Sequence, residues 1–410
     1  MVFCLFLIAL FEVACSDRER TNPLDPRNPI TGGRPPPPQA VAGDRIVTLS
    51  WDFSSYTDII GYRLYKRRER HPDRALLFPL SFPASIHSTV DSSVTNGSTY
   101  LYSITLISPD KESESSLEVP STPGPEVCWV TDAGSGCVVR ISPDGRQVVA
   151  RIEGFQNPTA LAVHPADGNC WVVDDELDGV YRVTQEHVAQ HVISLEDPTD
   201  LSIEADGLAW IIEAQRVVYV STEQLLQPAP QIVDANFLFP FSIASTGNHS
   251  CWIADYEGNR VILYDVLSHT IDFSVQDIPV PRLLVADMAD SACWIVHRDR
   301  LTLSKVSLRS RSILFSIEGL GRIYGIAVNR KTGHCWVATA HQVYRLSRDG
   351  RIEITAEISP DIVAVSVNSD DGTCWAISRN TVYKLTPDGT ILSSAGGMLY
   401  LTDVAIDPGR

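Results

Sequence analysis

PTALAVHPADGNCWVVDDELDGVYRVTQEHVAQHVISLED, residues 158–197, holds one complete unit of the pattern that decides the fold. It reads as four short strands: ALAVHP, then CWVVD after an ADGN turn, then GVYRVT after a loop, then AQHVISL after a second turn. Apolar residues alternate within each piece, and the DG pairs supply the positive φ that tight hairpins need. Four strands in about forty residues predict one small antiparallel sheet.

The same unit recurs on both sides of this stretch. Trp falls at 129, 171, 210, 252, 294, 336 and 375, at spacings of 42, 39, 42, 42, 42 and 39. Cys precedes it in VCWV, NCWV, SCWI, ACWI, HCWV and TCWA, and Ala209 takes that place in the third unit. Third strands repeat as CVVRIS, GVYRVT, QVYRLS and TVYKLT. A period of about 40–45 residues with four strands per unit is the signature of propeller blades. Successive residues of a strand point to opposite faces, so each blade offers a Trp ring to one neighbour and a thiol to the other.

The two ends of the region complete one another. EVCWVTD (126–132) is already a second strand, whereas LTDVAIDPGR (401–410) matches the first strands ALAVHP and GIAVNR. The last strand is therefore expected to fill the first blade, which closes a seven-bladed ring and leaves no open edge. An apolar strand after Pro, a Gly-bearing turn and a Trp strand ending in Asp resemble the NHL-repeat propellers and the related YVTN-type bacterial propellers, over about 285 residues.

Three sets of residues are candidates for chemistry. The six repeated thiols lie in neighbouring blades at about 10 Å, beyond the usual disulfide Cα separation of about 4.4–6.8 Å, and are expected to pack as small hydrophobes. Cys137 is expected opposite Thr131 or Asp132 and unpaired with Cys128. The third residue after each Trp runs Asp132, Asp174, Glu213, Asp255, His297, Thr339, Ser378. Capping of the adjoining turns is the first reading of these side chains; an arc of face contacts, with Asp174, Asp255 and His297 at its centre, is the second. The nearby loops differ in sign, DDELDG (174–179) against HRDR (297–300), so that face is expected to carry an electrostatic gradient.

First strands line the channel of a propeller, and aligned on the preceding Pro they present Ala160, Asp200, Ser242, Leu283, Gly325, Ala364 and Asp403. Gluconolactonase-like propellers hold a divalent metal at this place with Glu, Asn and Asp, and amidating-lyase NHL enzymes use His. Here Asp200, Ser242 and Asp403 are the channel candidates, and the resemblance implies a metal-dependent hydrolase or lyase as one alternative. A hydrated channel without metal or cofactor is the other reading. No HExxH, GxSxG, P-loop or GxGxxG occurs.

Ahead of the propeller, residues 37–122 carry IVTLSWD (46–52), GYRLYKR (61–67) and TYLYSITLIS (99–108) between turn signals. They resemble a fibronectin type III sandwich, which implies Trp51 and Tyr62 in the core and Tyr100 at a tyrosine corner tying its strand to the upstream loop. Residues 16–36, SDRERTNPLDPRNPITGGRPPPP in their setting, read as an extended tether. The segment 1–15 is an apolar run too short to span a bilayer but long enough for a signal h-region. Its Val-Ala-Cys-Ser end resembles the lipobox of bacterial lipoproteins, which implies lipidation of Cys15; a signal cleaved without lipid, or left uncleaved, is the alternative.

The composition agrees with an ordinary folded chain. Of 410 residues 44% are hydrophobic and 20% charged, and a net charge of -17 excludes a nucleic-acid surface. The expected protein is an all-β monomer exported to a bacterial periplasm or outer surface, held to the membrane only through a lipid. There it is expected to act as a non-enzymatic binding or scaffold protein for a protein, peptide or glycan.

Overall fold

The computed structural model describes residues 25–28, 31–56, 58–71, 75–76, 81–221, 229–276, 278–358 and 361–407. Cys15 and the whole 1–15 segment lie outside the described residues. The chain divides into two compact units at Pro123/Gly124. No helix among the described residues is long and apolar enough to cross a membrane.

The first unit is a two-sheet sandwich. Gln39–Gly43, Ile46–Ser50 and Ser88–Asp91 form one sheet, and Gly61–Arg68 pairs with Tyr100–Ile107 at the centre of the other. Val47 and Leu49 from one sheet meet Trp51, Tyr62, Leu64, Tyr102 and Ile104 in a single core. The Tyr100 hydroxyl accepts the Thr95 amide at 3.0 Å, and Tyr102 donates to buried Asp91 at 2.9 Å. The strand is thus tied to its upstream loop as expected.

The second unit is a ring of seven four-stranded antiparallel sheets. Blades 2 to 7 take their innermost strands from Pro158–Val163, Pro198–Ile203, Pro240–Ser245, Pro281–Asp287, Ile323–Val328 and Ile362–Val367. Blade 1 takes Val127–Asp132, Cys137–Ile141 and Val148–Glu153 from the start of the unit and its innermost strand, Leu401–Asp407, from the end. The all-β propeller closed by its two ends is therefore as expected from the sequence. Every blade edge facing the axis belongs to a paired strand, which removes the exposed edge of an open array.

Trp and thiol meet between blades. Trp129 packs with Cys170, Trp171 with Ala209, Trp210 with Cys251, Trp252 with Cys293, Trp294 with Cys335, Trp336 with Cys374, and Trp375 with Cys128 across the closing seam. A large ring is set against a small side chain at each interface, and each of these seven Trp is at most 1% exposed. All seven described cysteines are free and buried, and Cys137 stands opposite Asp132 in the hairpin.

Two seams carry a further device. The Lys384 ammonium lies 4.9 Å from the Trp375 ring centre, pairs with Glu126 and donates to the Pro143 carbonyl at 2.8 Å. Glu126 also accepts Trp375 Nε1 at 3.0 Å, so the residue just ahead of blade 1 is locked into blade 7. Lys305, over Trp294, pairs with Asp287 and Asp290 and reaches the Arg348 carbonyl of blade 6. Buried charge here is fully partnered, as burial demands.

Candidate functional site

A single irregularity repeats in all seven blades. Register shifts between Pro158 and Ala160, Pro198 and Asp200, Pro240 and Ser242, Pro281 and Leu283, Ile323 and Gly325, Ile362 and Ala364, and Leu401 and Asp403. Each innermost strand thus begins with a β-bulge, which leaves one residue outside the ladder and re-aims its side chain. Those residues are Thr402, Thr159 and Thr199 in blades 1 to 3, then Phe241, Arg282, Tyr324 and Val363 in blades 4 to 7. The first three are small and hydroxylic; Phe241, Arg282 and Tyr324 are aromatic or cationic, and Val363 is aliphatic.

Across the bulge, the residues expected to line the channel turn to the neighbouring blade. Asp403 accepts the Leu161 amide of blade 2 at 3.0 Å with one oxygen and its neighbour Val404 at 2.8 Å with the other. Asp200 does the same with Ile243 of blade 4 and Leu201, both at 2.9 Å. Ser242 Oγ accepts Leu284 of blade 5 at 3.3 Å. At Gly325 the same position faces the Ala364 backbone of blade 7 so closely that a Cβ would stand 2.8 Å from its Cα. The sequence candidates Asp200, Ser242 and Asp403 are therefore inter-blade clamps; Asp200 lies near enough to Ser242 for a side-chain hydrogen bond and to Asp403 to feel its charge, but its oxygens are already held by two amides. Burial is the main cause that lifts Asp200 to about 7, with the Asp403 charge adding to it, and burial lifts Asp403 to about 6.

The residues three after each Trp also turn inward. Asp174 is fully buried and accepts the amides of Gln156, Asn157 and Leu177 at 2.7, 3.1 and 3.0 Å. Asp255 is likewise buried and accepts Leu238 and Phe239 at 3.1 and 2.9 Å and the Arg260 guanidinium at 2.8 Å. His297 shares a 2.8 Å bond with Ser304, and burial pushes its pKa down. His297 thus turns inward to the adjacent strand. For Asp174 and Asp255 the reading as face contacts gives way to the capping reading, in which a carboxylate below the surface holds the loop that leads into its own blade. That grip reaches further than the adjoining turn, since Asp132 binds Leu399 and Tyr400 of the last lead-in loop.

Held this way, the loops at the bulge end display a cluster that was not anticipated. Arg282 lies over Phe241 at 4.7 Å, Arg298 over Tyr256 at 5.8 Å, and Arg300 and Arg322 share Tyr324 at 5.3 and 5.7 Å. Phe239, Phe241 and Tyr256 stack among themselves at 5.4–6.3 Å. Among the described residues no carboxylate lies within 4.0 Å of these four guanidinium groups. Asp299, between two of them, is taken by the Leu301 and Thr302 amides and the Thr302 hydroxyl. Burial pushes Arg282 and Arg300 below the ordinary arginine value, and the neighbouring arginines push in the same direction. HRDR was legible as the basic loop; Arg282, Arg322 and the aromatics were not, because they sit at the bulge and lead-in positions that the Pro alignment passed over.

At the opposite end of the channel Glu204, Asp206 and His249 bring one donor atom each within 4.8 Å of one another. Glu204 already accepts Trp210 Nε1 at 3.0 Å and the His249 amide at 2.9 Å, and His249 Nδ1 is 3.2 Å from Asp206. One Glu204 oxygen is thus bound within blade 3 and the other by blade 4, whereas Asp206 is exposed.

The chain matches no family model, and no curated protein matches it in sequence. Solved structures match its fold. A functionally unknown protein from Desulfotomaculum acetoxidans superposes with a TM-score of 0.58 at 12% identity over 69% of this chain and 99% of that one. Apo AztD from Citrobacter koseri gives 0.56 at 10% identity over 70% and 98%. Virginiamycin B lyase from Staphylococcus aureus gives 0.50 at 15% identity over 59% and 85%. These likenesses support the propeller fold. At such identities they say nothing of activity.

Proposed function

We propose that the protein is a non-enzymatic binding or scaffold protein of the bacterial cell envelope, which presents the bulge-bearing end of its propeller to a partner. In this reading residues 1–15 are a lipoprotein signal with Cys15 as anchor. The 37–122 unit is a fibronectin type III-like spacer, and the NHL-like ring is the binding module. The observation that carries it is the division of labour around the channel mouth. Asp200, Ser242 and Asp403, the positions at which an enzyme would keep free ligands, bridge blades through their oxygens, whereas the bulge residues beside them are outside the ladder and chemically diverse.

Photo-crosslinking in cells tests the proposal. A benzophenone amino acid at Leu301, on the bulge end, is expected to trap a discrete adduct, and the same probe at Asp349, in a turn at the other end, none. Adducts only at 349, or at neither site, would overturn it. The alternative, a metal-dependent hydrolase or lyase, predicts stoichiometric calcium or zinc in the purified protein that is lost in an Asp200→Ala, Asp403→Ala double variant.

A further inference from the structure

We propose that the arginine and aromatic arc on blades 4 to 6 docks an acidic polypeptide segment of a partner protein, gripping its carboxylates with Arg282, Arg298, Arg300 and Arg322. This rests on the reading of the bulge end as a binding face and names what it binds. Four guanidinium groups gathered without an ion pair to any described carboxylate is a costly arrangement in isolation, since like charges repel and Arg282 and Arg300 are partly removed from water. It stands in a chain whose formal charge is -17, yet Glu257, Asp299 and Glu318, exposed in the same loops, form no ion pair with these four guanidinium groups. Each guanidinium is already laid on a ring, and its planar fork is preset for bidentate carboxylate contact with little further ordering.

Two observations favour a protein over an anionic glycan or a lipid surface. The first is the apolar company: Leu238 and Leu301, in loops of blades 4 and 5 at the same end, are 61% and 49% exposed. Exposed leucines beside Arg and Tyr are the composition of a protein interface core, and sugars have little use for them. The second is the sign of the opposite sector. Glu176 and Asp178 of blade 2, with Glu196 and Asp197 ahead of blade 3, are exposed, and they would repel a uniform polyanion or an anionic bilayer laid across the face. A partner whose negative charge is confined to one segment meets only the basic sector.

The test uses the full chain and fluorescein-labelled octapeptides of Gly, Ser and Leu bearing four Glu, with four-Gln analogues as controls. Anisotropy is expected to show binding of the Glu peptides only, weakening steeply as salt is raised. It should fall at least tenfold in Arg298→Gln, Arg322→Gln, whose side chains are exposed and expendable to the fold. A second pair, Arg282→Gln, Arg300→Gln, should lose as much, and Glu176→Gln, Asp178→Asn should lose nothing. Equal binding of the Gln peptides, no binding of any Glu peptide, or unchanged affinity in both arginine pairs would overturn the proposal. So would tighter binding of oligogalacturonate than of the Glu peptides, which would assign the arc to an anionic glycan. An adduct at position 301 that forms equally well in both arginine variants would sink the acidic segment while leaving the binding face intact.

Discussion

Asp200 shows how a single side chain can be read correctly for place and wrongly for task. Its position at the head of an innermost strand follows from spacing, but its two oxygens hold amides in blades 3 and 4. The carboxyl is lifted to about 7, so the fold favours its protonated form. A group raised in the folded state contributes stability that is complete below its ordinary value near 4 and is lost as pH rises to about 7. Asp200→Asn removes this pH dependence but leaves one acceptor for the two amides, so it should cost about 1–3 kcal/mol at pH 4 and less at pH 8. Urea titrations at the two pH values check this; an equal effect at both would contradict it.

The cysteines make a cleaner case. Burial pushes Cys128, Cys170, Cys251 and Cys293 well above their ordinary value, so neither access nor thiolate is on offer. The seven thiols of the described residues should resist a maleimide for as long as the ring is folded and react together in denaturant, as read by mass spectrometry. Their packing role was legible because a strict two-residue alternation leaves Cys and Trp no choice of face. The partners of Asp174 and Asp255 were not, since a carboxylate three residues after Trp can point at solvent or at an amide with the same spacing.

At the scale of the strand, the bulge is what the sequence concealed. An inserted residue normally betrays itself by breaking a period, but here all seven innermost strands carry it and the period is preserved. Counting from Pro therefore found the clamp positions and passed over the residues that face the mouth. Thr199, exposed at its bulge and without a ladder pair, is free to change. Thr199→Arg is expected to alter stability by no more than about 0.5 kcal/mol, whereas Leu201→Arg, two positions on and only 5% exposed, should prevent folding. Comparison of soluble yield and melting temperature separates the two.

For the whole molecule the recurrent Trp fixed blade number and the matching ends fixed closure, because a ring with seven second strands needs seven first strands. The electrostatic gradient was also visible in DDELDG and HRDR. The full basic sector was not, since it is assembled from blades 4 to 6 by the curvature of the ring. Ending the chain at Tyr400 should leave Val127–Asp132 without its inner partner and expose an apolar edge. The expected outcome is aggregation on size-exclusion chromatography, while a monodisperse, fully β truncated protein would show that closure is dispensable.

The same strand exchange sets a clock on biosynthesis. Thr131 and Thr402, whose hydroxyls meet at 2.7 Å in blade 1, are 271 positions apart. At about 5–20 residues per second, roughly 14–54 s pass between the emergence of one and of the other. Throughout that interval the first blade made is an unfinished sheet waiting for the last strand made, and it is the state most exposed to capture by another chain. A holding factor that binds nascent β-edges would act on this protein during that window, and on its first blade.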